Sequence, residues 1–418
     1  KVRESAHEFV NMEEQDKENT ALWFAWAFYH VKKFNNVEFY LKKFPDKNDL
    51  NVIHFKSMYL IAQDRYEEAN KIIQKGFELL TENHSVFNGS DTKEASRRMV
   101  FAQHLIELLE VLELKQTNVV DSPIIWQNRL KNFSHESESW MKLIEIRSLV
   151  LSPAGHSESY LKMLSVLRKE RKWKLIDVYC DRFFSKTTSI PVILSRLKIL
   201  WNRGRKKEAV QLIVALNQVF NSESYEQAKS SFEKIQEADK VQIYKFFGIP
   251  NDEGSNSIEM RNQIILKLRQ PDKKMAARFL RIQASWQYSL YTSKTSSAQS
   301  LLDICKVFEE SMAMVGNDYR TFAGWAYANS RALSHFVDKR SKIALDAMFG
   351  FLRATQLRPS ESLEFLCQFF SIYFRFGEEF TLPDDLRSQI TQLPAAILHQ
   401  IIPQIVVHIA HKDPKISN

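Results

Sequence analysis

The residues with the clearest potential for chemistry are basic side chains at or near the ends of separate periodic segments. The set comprises Arg147, Lys162, Lys198, Arg203, Arg278, Arg281 and Arg320. Several have bulky aromatic neighbours in the sequence, such as Trp201, Phe279 and Phe322. Arginine and lysine bind phosphate groups when a fold brings several of them together. The spacing alone does not establish that they converge, so a polyanion pocket and scattered solvated charges both stay open.

Arg147 differs from the others because it interrupts an apolar helical face. In residues 140–153, apolar side chains recur at helical spacing and Pro153 ends the helix. Either the aliphatic stem of Arg147 lies along the core with its guanidinium in water, or the guanidinium contacts an anion. The pattern by itself favours the first interpretation.

Motifs of enzymatic chemistry are missing from the sequence. It contains no Walker loop, no Gly-x-Gly-x-x-Gly and no His-Glu-x-x-His pattern. His411, Asp413 and Asn418 match the spacing of a protein-kinase catalytic loop. A kinase loop follows a glycine-rich lobe and precedes Asp-Phe-Gly, and neither is present, so we interpret the match as coincidence. We therefore predict no catalytic residues in this segment.

Metal binding and nucleic-acid binding are also disfavoured. His408 and His411 lie three residues apart without a nearby third ligand, so we predict no metal site. The tryptophans recur at helical spacing among leucine, isoleucine and alanine, which favours core packing over base stacking. The cysteines, Cys180, Cys305 and Cys367, lie in apolar helical patterns and are interpreted as free thiols in a reducing, cytosolic or nuclear, compartment.

Composition indicates an all-α protein. Glycine makes up 10 of 418 residues, about 2% against an average near 7%, which disfavours a turn-rich β architecture. No apolar run reaches the roughly 18–20 residues of a transmembrane helix. The chain begins with Lys1 and carries no targeting signature, so we interpret it as an excised segment. The formal net charge of +8 suits an anionic partner, although solvated helix faces explain most basic clusters.

Helical hairpins repeat along the first part of the chain. A bulky residue, acidic residues and a small residue open a second helix at 64–69, as in tetratricopeptide repeats. Related patterns return at 172–176 and 205–209, and Ala69 and Ala209 lie 140 residues apart, close to four periods of about 34. The clearest break is at 248–257. We predict tetratricopeptide-like repeats over residues 1–250 and HEAT-like helical repeats over residues 251–418.

Several segments resemble the FAT domain of target-of-rapamycin (TOR) kinases. Residues 140–153 are similar to the family's helix that runs from tryptophan to Arg-Ser-Leu-Val-x-Ser-Pro. A further similarity precedes this segment at 125–130, and others follow it in the family's order at 160–162, 197–201, 278–287, 318–326, 347–353 and 401–405. The resemblance covers essentially the whole chain. The Arg-Ser-Leu-Val-x-Ser-Pro element favours TOR over related kinases.

The resemblance implies a right-handed α-solenoid, a superhelix of tetratricopeptide-like and HEAT-like repeats that clamps a serine/threonine kinase domain. It also implies a non-catalytic scaffold that contacts the kinase domain and the N-terminal HEAT repeats of its parent chain, and the subunits of a TOR complex. The expected location is cytoplasmic, with recruitment to the lysosomal or vacuolar membrane surface through the complex.

The family also binds inositol hexakisphosphate in a basic pocket. The resemblance implies that four residues fall on basic positions of that pocket: Arg147, Lys198, Arg281 and Arg320. Arg278 lies close to another such position, and Lys162 and Arg203 are further candidates. Arg281 and Arg320 stand where lysine is usual, which keeps the charge but changes the donor geometry. The segment before Trp286 is one residue longer than in the family. The alternative to a kinase scaffold is a free-standing tetratricopeptide adaptor that binds peptides or proteins.

Overall fold

The computed structural model forms two compact units, residues Lys1–Thr187 and Thr188–Asn418. It describes residues 14–42, 49–82, 92–117, 124–130, 133, 136–184, 189–220, 225–247, 259, 262, 272–291 and 297–408. Every regular element in these ranges is a helix, so the predicted all-α class is confirmed. No helix in the same ranges is long and apolar enough to cross a membrane.

The first unit consists of consecutive helices. They are α1 (Glu14–His30), α2 (Phe34–Leu41), α3 (Leu50–Ala62), α4 (Tyr66–Glu82), α5 (Thr92–Thr117), α6 (Ile124–Arg129), α7 (Ser137–Arg147), α8 (Ser157–Lys169) and α9 (Trp173–Phe184). Its main core contains Met58, Ile73, Leu108, Trp126 and Ile146, which come from α3 to α7. Each helix therefore buries an apolar face against its neighbours in the sequence.

The second unit also consists of consecutive helices. Its helices are α10 (Ile190–Asn202), α11 (Lys206–Phe220), α12 (Tyr225–Glu233), α13 (Glu237–Phe247), α14 (Lys273–Leu290), α15 (Gln299–Met314), α16 (Tyr319–Ala332), α17 (Arg340–Leu357), α18 (Ser362–Phe376), α19 (Asp384–Thr391), α20 (Ala395–Leu398) and α21 (Ile402–His408). Leu216 of α11 and Phe279 of α14 belong to one core. The predicted boundary near residue 250 lies outside the described residues and stays a prediction.

The repeated hairpins share one turn. A residue with positive φ lies between the two helices at Lys32 (56°), Asp64 (55°), Arg171 (57°) and Gly204 (87°). In each turn the residue after the one with positive φ donates its backbone N–H to the carbonyl five residues earlier. At Arg65, for example, N lies 2.9 Å from the carbonyl oxygen of Leu60. The fourth residue of each following helix is fully buried: Val37, Ala69, Ile176 and Ala209. These turns confirm the helix pairs predicted around 64–69, 172–176 and 205–209.

Close helix packing in the second unit depends on glycine. A Cβ at Gly350 of α17 would lie 2.9 Å from the Cβ of Ala326 and 3.0 Å from the carbonyl oxygen of Phe322, both in α16. A Cβ at Gly324 would lie 2.6 Å from the buried ring of Phe308. These glycines allow α15, α16 and α17 to approach closely, which fixes the position of the N-terminal end of α16.

Candidate polyanion site and the buried arginine

The N-terminal ends of α14 and α16 carry a group of basic side chains around one cavity of about 360 Å³. The cavity is lined in part by Lys274, Arg278 and Arg281 of α14 and by Asp318 and Thr321 at the start of α16. Lys274, Arg278 and Arg281 follow one another at helical intervals of four and three residues, so they share one face. The spacing explains why these three side chains line the same cavity.

Two N-caps fix the helix ends at this cavity. Asp272 accepts a hydrogen bond from the backbone N–H of Met275 at 2.6 Å, which caps α14. Asp318 accepts from the backbone N–H of Arg320 at 3.1 Å and from the Thr321 hydroxyl at 3.2 Å, which caps α16. The local sequence thus positions the basic residues on rigid elements.

Positive charge is concentrated at Arg281. Its Nε lies 2.9 Å from Oδ2 of Asp318, in an ion pair that is largely sheltered from solvent. Burial lowers the pKa of Arg281, Asp318 acts in the opposite direction, and the charges of Arg320 and Arg278 lower it further. The mutual repulsion shows that three of the predicted arginines are brought together. An anion bound here would relieve that repulsion.

Arg320 lies at the outer part of this group and is exposed. Its Nε donates to the hydroxyl of Tyr319 at 3.2 Å, and its guanidinium lies 5.4 Å from the centre of the Tyr319 ring. Arg358 lies over the same ring at 5.5 Å. Arg358 and Lys274 are basic residues near the site that the sequence interpretation missed. The helical spacing of Lys274 from Arg278 is the signal that predicts its position.

The guanidinium of Arg147 is enclosed by the first unit. It is 2% exposed, and Glu107 of α5 is 0% exposed. Arg147 donates from Nε to Oε2 of Glu107 at 2.9 Å and from Nη2 to Oε1 at 2.8 Å, which is a bidentate ion pair. Nη1 donates to the Ser159 hydroxyl at 2.8 Å, and Nη2 also contacts the Trp126 carbonyl at 3.3 Å. The interpretation with the charged head in water is wrong, because the whole side chain is internal.

A second arginine completes this network. Arg129 donates to both carboxylate oxygens of Glu110 at 2.7 Å, and its Nη1 lies 3.8 Å from Oε1 of Glu107. The indole N–H of Trp126 also donates to Glu110 at 2.7 Å. The network joins α5, α6 and α7 through charged hydrogen bonds, so it positions these helices relative to one another.

The remaining predicted site residues are more scattered. Lys162 is exposed on α8, Lys198 is half-buried in α10, and Arg203 is exposed in the turn after α10. Arg147 and Lys162 belong to the first unit, and the other five residues belong to the second. Among the described residues, Lys198 and Arg203 do not line the cavity at α14 and α16. The pocket role of all seven stays a prediction.

No group of three or more metal-binding side chains occurs in the part of the chain that the structure describes. His411 lies outside that part, and the side chain of His408 is not among those described. The three cysteines are free thiols, and burial raises the pKa of the Cys305 thiol to about 12. Cys305 is therefore a core residue and not a nucleophile at neutral pH.

Helical hairpins of this kind, in two units, define a helical-repeat protein. The sequence-family model of the FAT domain matches residues 18–369 of the chain. The chain therefore belongs to the FAT domain family.

The relatives with curated descriptions are TOR kinases. The chain is 21% identical over 426 residues to the serine/threonine-protein kinase tor1 of Schizosaccharomyces pombe. That alignment covers 96% of this chain and 17% of the kinase. It is 21% identical over 431 residues to the serine/threonine-protein kinase mTor of Drosophila melanogaster, covering 96% and 16%. The Arabidopsis thaliana kinase TOR is 20% identical over 390 residues. The chain thus spans about one sixth of the length of the first two relatives.

Proposed function

We propose that the chain is the non-catalytic FAT segment of a TOR-like serine/threonine kinase. The observation that supports this most strongly is similarity over 96% of the chain to kinases of which it covers only 17% or less. Because residues 18–369 match the FAT domain, we expect the catalytic domain in another part of the parent protein. The segment would then clamp the kinase domain, with helices held rigid by buried networks such as Arg147–Glu107.

Sequencing the full-length transcript tests this proposal. We expect an open reading frame that continues past Asn418 into a kinase domain with an Asp-Arg-His-x-x-Asn loop and Asp-Phe-Gly. A reading frame that ends near Asn418 would contradict it. That result would favour the alternative of a free-standing tetratricopeptide adaptor, because the shared hairpin turns at Asp64, Arg171 and Gly204 suit such a protein equally well.

We also propose that the segment binds an inositol polyphosphate, with inositol hexakisphosphate as the expected ligand. The cavity between the N-terminal ends of α14 and α16 supports this, because Lys274, Arg278 and Arg281 line it and the charge of Arg320 acts on Arg281. Charged hydrogen bonds from arginine to phosphate are strong and are frequently bidentate.

Isothermal titration calorimetry of the 418-residue chain with inositol hexakisphosphate tests the ligand. We expect Arg278→Ala combined with Arg320→Ala to weaken binding at least tenfold, since each charged hydrogen bond contributes about 1.5–3 kcal/mol. Arg387→Ala, at an exposed position in α19, is the matched control and should leave the affinity unchanged. Equal affinities for the double variant and the parent chain would contradict this assignment.

The expected partners are the kinase domain and N-terminal HEAT repeats of the parent chain, and the subunits of a TOR complex. The expected location is the cytoplasm and, through the complex, the lysosomal or vacuolar surface. Affinity purification of the tagged parent protein from its own cells, followed by mass spectrometry, tests the partners. Recovery of the parent chain without any TOR complex subunit would contradict them.

A further inference from the structure

A second cavity of the second unit, of about 730 Å³, is lined by side chains of α16, α17, α19 and α20. It shares no lining residue with the cavity at α14 and α16. Its apolar wall consists of Phe322 and Phe349, whose ring centres lie 6.4 Å apart, together with Leu393 and Ile397. The volume lies within the range of ligand sites, which are mostly apolar with a few polar groups.

Arg353 gives this cavity its charge. Among the described residues that line the cavity it is the only charged one, and its side chain is half-buried. Its Nη1 donates to Oε1 of Gln356 at 3.0 Å. No carboxylate in the described part of the chain lies within ion-pair distance of the guanidinium. A bound anion would therefore meet a positive charge that these residues do not neutralise.

The amides beside Arg353 accept hydrogen bonds from one side and donate to the other. Gln356 donates from Nε2 to Oε1 of Gln389 at 3.3 Å, and Gln389 donates from Nε2 to Oδ2 of Asp385 at 2.8 Å. Among the described residues, both amide oxygens thus already accept, whereas each amide nitrogen uses one of its two N–H groups and Arg353 uses one of its five. The remaining polar groups are mainly donors. They suit a ligand rich in acceptors, such as a carboxylate beside a carbonyl group.

We propose that this cavity binds the C-terminal residue of a peptide whose last side chain is apolar. Phe349, Arg353 and Gln356 follow one another at intervals of four and three residues, so a ring, a guanidinium and an amide lie along one face of α17. The last residue of a peptide carries the matching groups around one Cα: an apolar side chain, a carboxylate and an amide. One guanidinium balances the single charge of a carboxylate, whereas a phosphate group carries close to two charges.

The test titrates the 418-residue chain with N-acetyl-L-phenylalanine, which carries all three groups, by saturation-transfer NMR. We expect a dissociation constant on the order of 1 mM, as fragments show. N-acetyl-L-phenylalaninamide lacks the charge and should bind at least about tenfold more weakly, and 3-phenylpropionate lacks the amide and should bind about two to ten times more weakly. Absence of binding, or equal affinity for N-acetyl-L-phenylalanine and either comparison compound, would overturn the proposal.

Variants assign the binding to this cavity. Arg353→Met removes the charge and should reduce the affinity for N-acetyl-L-phenylalanine to that for its amide. Gln392→Trp fills the cavity from an exposed position, so it decides the case should Arg353→Met fail to fold, and it should abolish binding. Arg387→Met, at an exposed position of α19 that does not line the cavity, is the matched control and should keep the parental affinity. Parental affinity of Arg353→Met or Gln392→Trp, in a chain with parental circular dichroism, would mean that the probe binds elsewhere, and the proposal would fail.

Discussion

Breaking the buried pair of Arg147 and Glu107 should destabilise the first unit strongly. Both side chains are almost fully enclosed and are joined by two hydrogen bonds of 2.8 and 2.9 Å. Arg147→Met leaves a carboxylate with no bidentate partner in the core, which costs about 3–5 kcal/mol of unfolding free energy. Arg129 offsets a part of this, because its Nη1 lies 3.8 Å from Glu107. We therefore expect a loss of about 3 kcal/mol.

The double variant Glu107→Leu with Arg147→Met is the decisive comparison. Removing both charges replaces the pair by apolar side chains, and buried pairs replaced in this way are often neutral in stability. We expect the double variant to lie within about 1.5 kcal/mol of the parent chain, so the coupling energy of the cycle is about 2 kcal/mol or more. Additive effects of the two substitutions would refute the reasoning.

Native-state hydrogen exchange of amides in α5 and α7 measures these free energies locally, so unfolding of the second unit does not contribute. The same double variant tests whether Arg147 is also a phosphate ligand. Unchanged affinity for inositol hexakisphosphate would assign the guanidinium to the core alone. A loss of affinity with retained stability would show that Arg147 exchanges Glu107 for the ligand.

Three further predictions rest on single features. Burial lowers the pKa of three histidines. The pKa of His54 falls well below its usual range, that of His104 to about 3 and that of His156 to about 4. Below about pH 6.5 the unfolded chain takes up protons that the folded chain does not, so urea denaturation should show a loss of about 1.4 kcal/mol per pH unit for each histidine. Asp318→Asn keeps the N-cap of α16 but removes a competing charge, and calorimetry should show about fivefold tighter binding of inositol hexakisphosphate. Gly350→Ala should lower the unfolding free energy by about 1–3 kcal/mol despite the better helix propensity of alanine, whereas Gly316→Ala, with its nearest neighbour at 4.0 Å, should not.

The hairpins were predictable because their turns are local. The pattern of a bulky residue, acidic residues and a small residue locates α4 and α11 correctly, and Ala69 and Ala209 are fully buried. The first hairpin, also predicted as a helix pair, carries the same turn at Lys32 but has valine at position 37, so the pattern that ends in a small residue does not identify it as a repeat. Periodicity thus predicts helices well, whereas the equivalence of degenerate repeats needs the dihedral angles.

The partner of Arg147 was not predictable with the same ease, since Glu107 lies 40 residues earlier in another helix. A signal was nevertheless present. Glu107 lies one helical turn before Val111 and next to Leu108, both fully buried, so it interrupts an apolar face as Arg147 does. Buried charges require partners. A cation that interrupts one apolar helix face therefore predicts an anion that interrupts another.

The same physical rule separates the two kinds of arginine in this chain. A ligand anion gains most from positive charge that the protein has not already neutralised, and Glu107 neutralises Arg147 within the core. Arg278 and Arg320 are exposed and have no carboxylate within ion-pair distance among the described residues, although Asp318 pairs with Arg281 between them. The cavity at α14 and α16 therefore suits the proposed polyphosphate better than Arg147 does. Arg147 holds the helices of the first unit together.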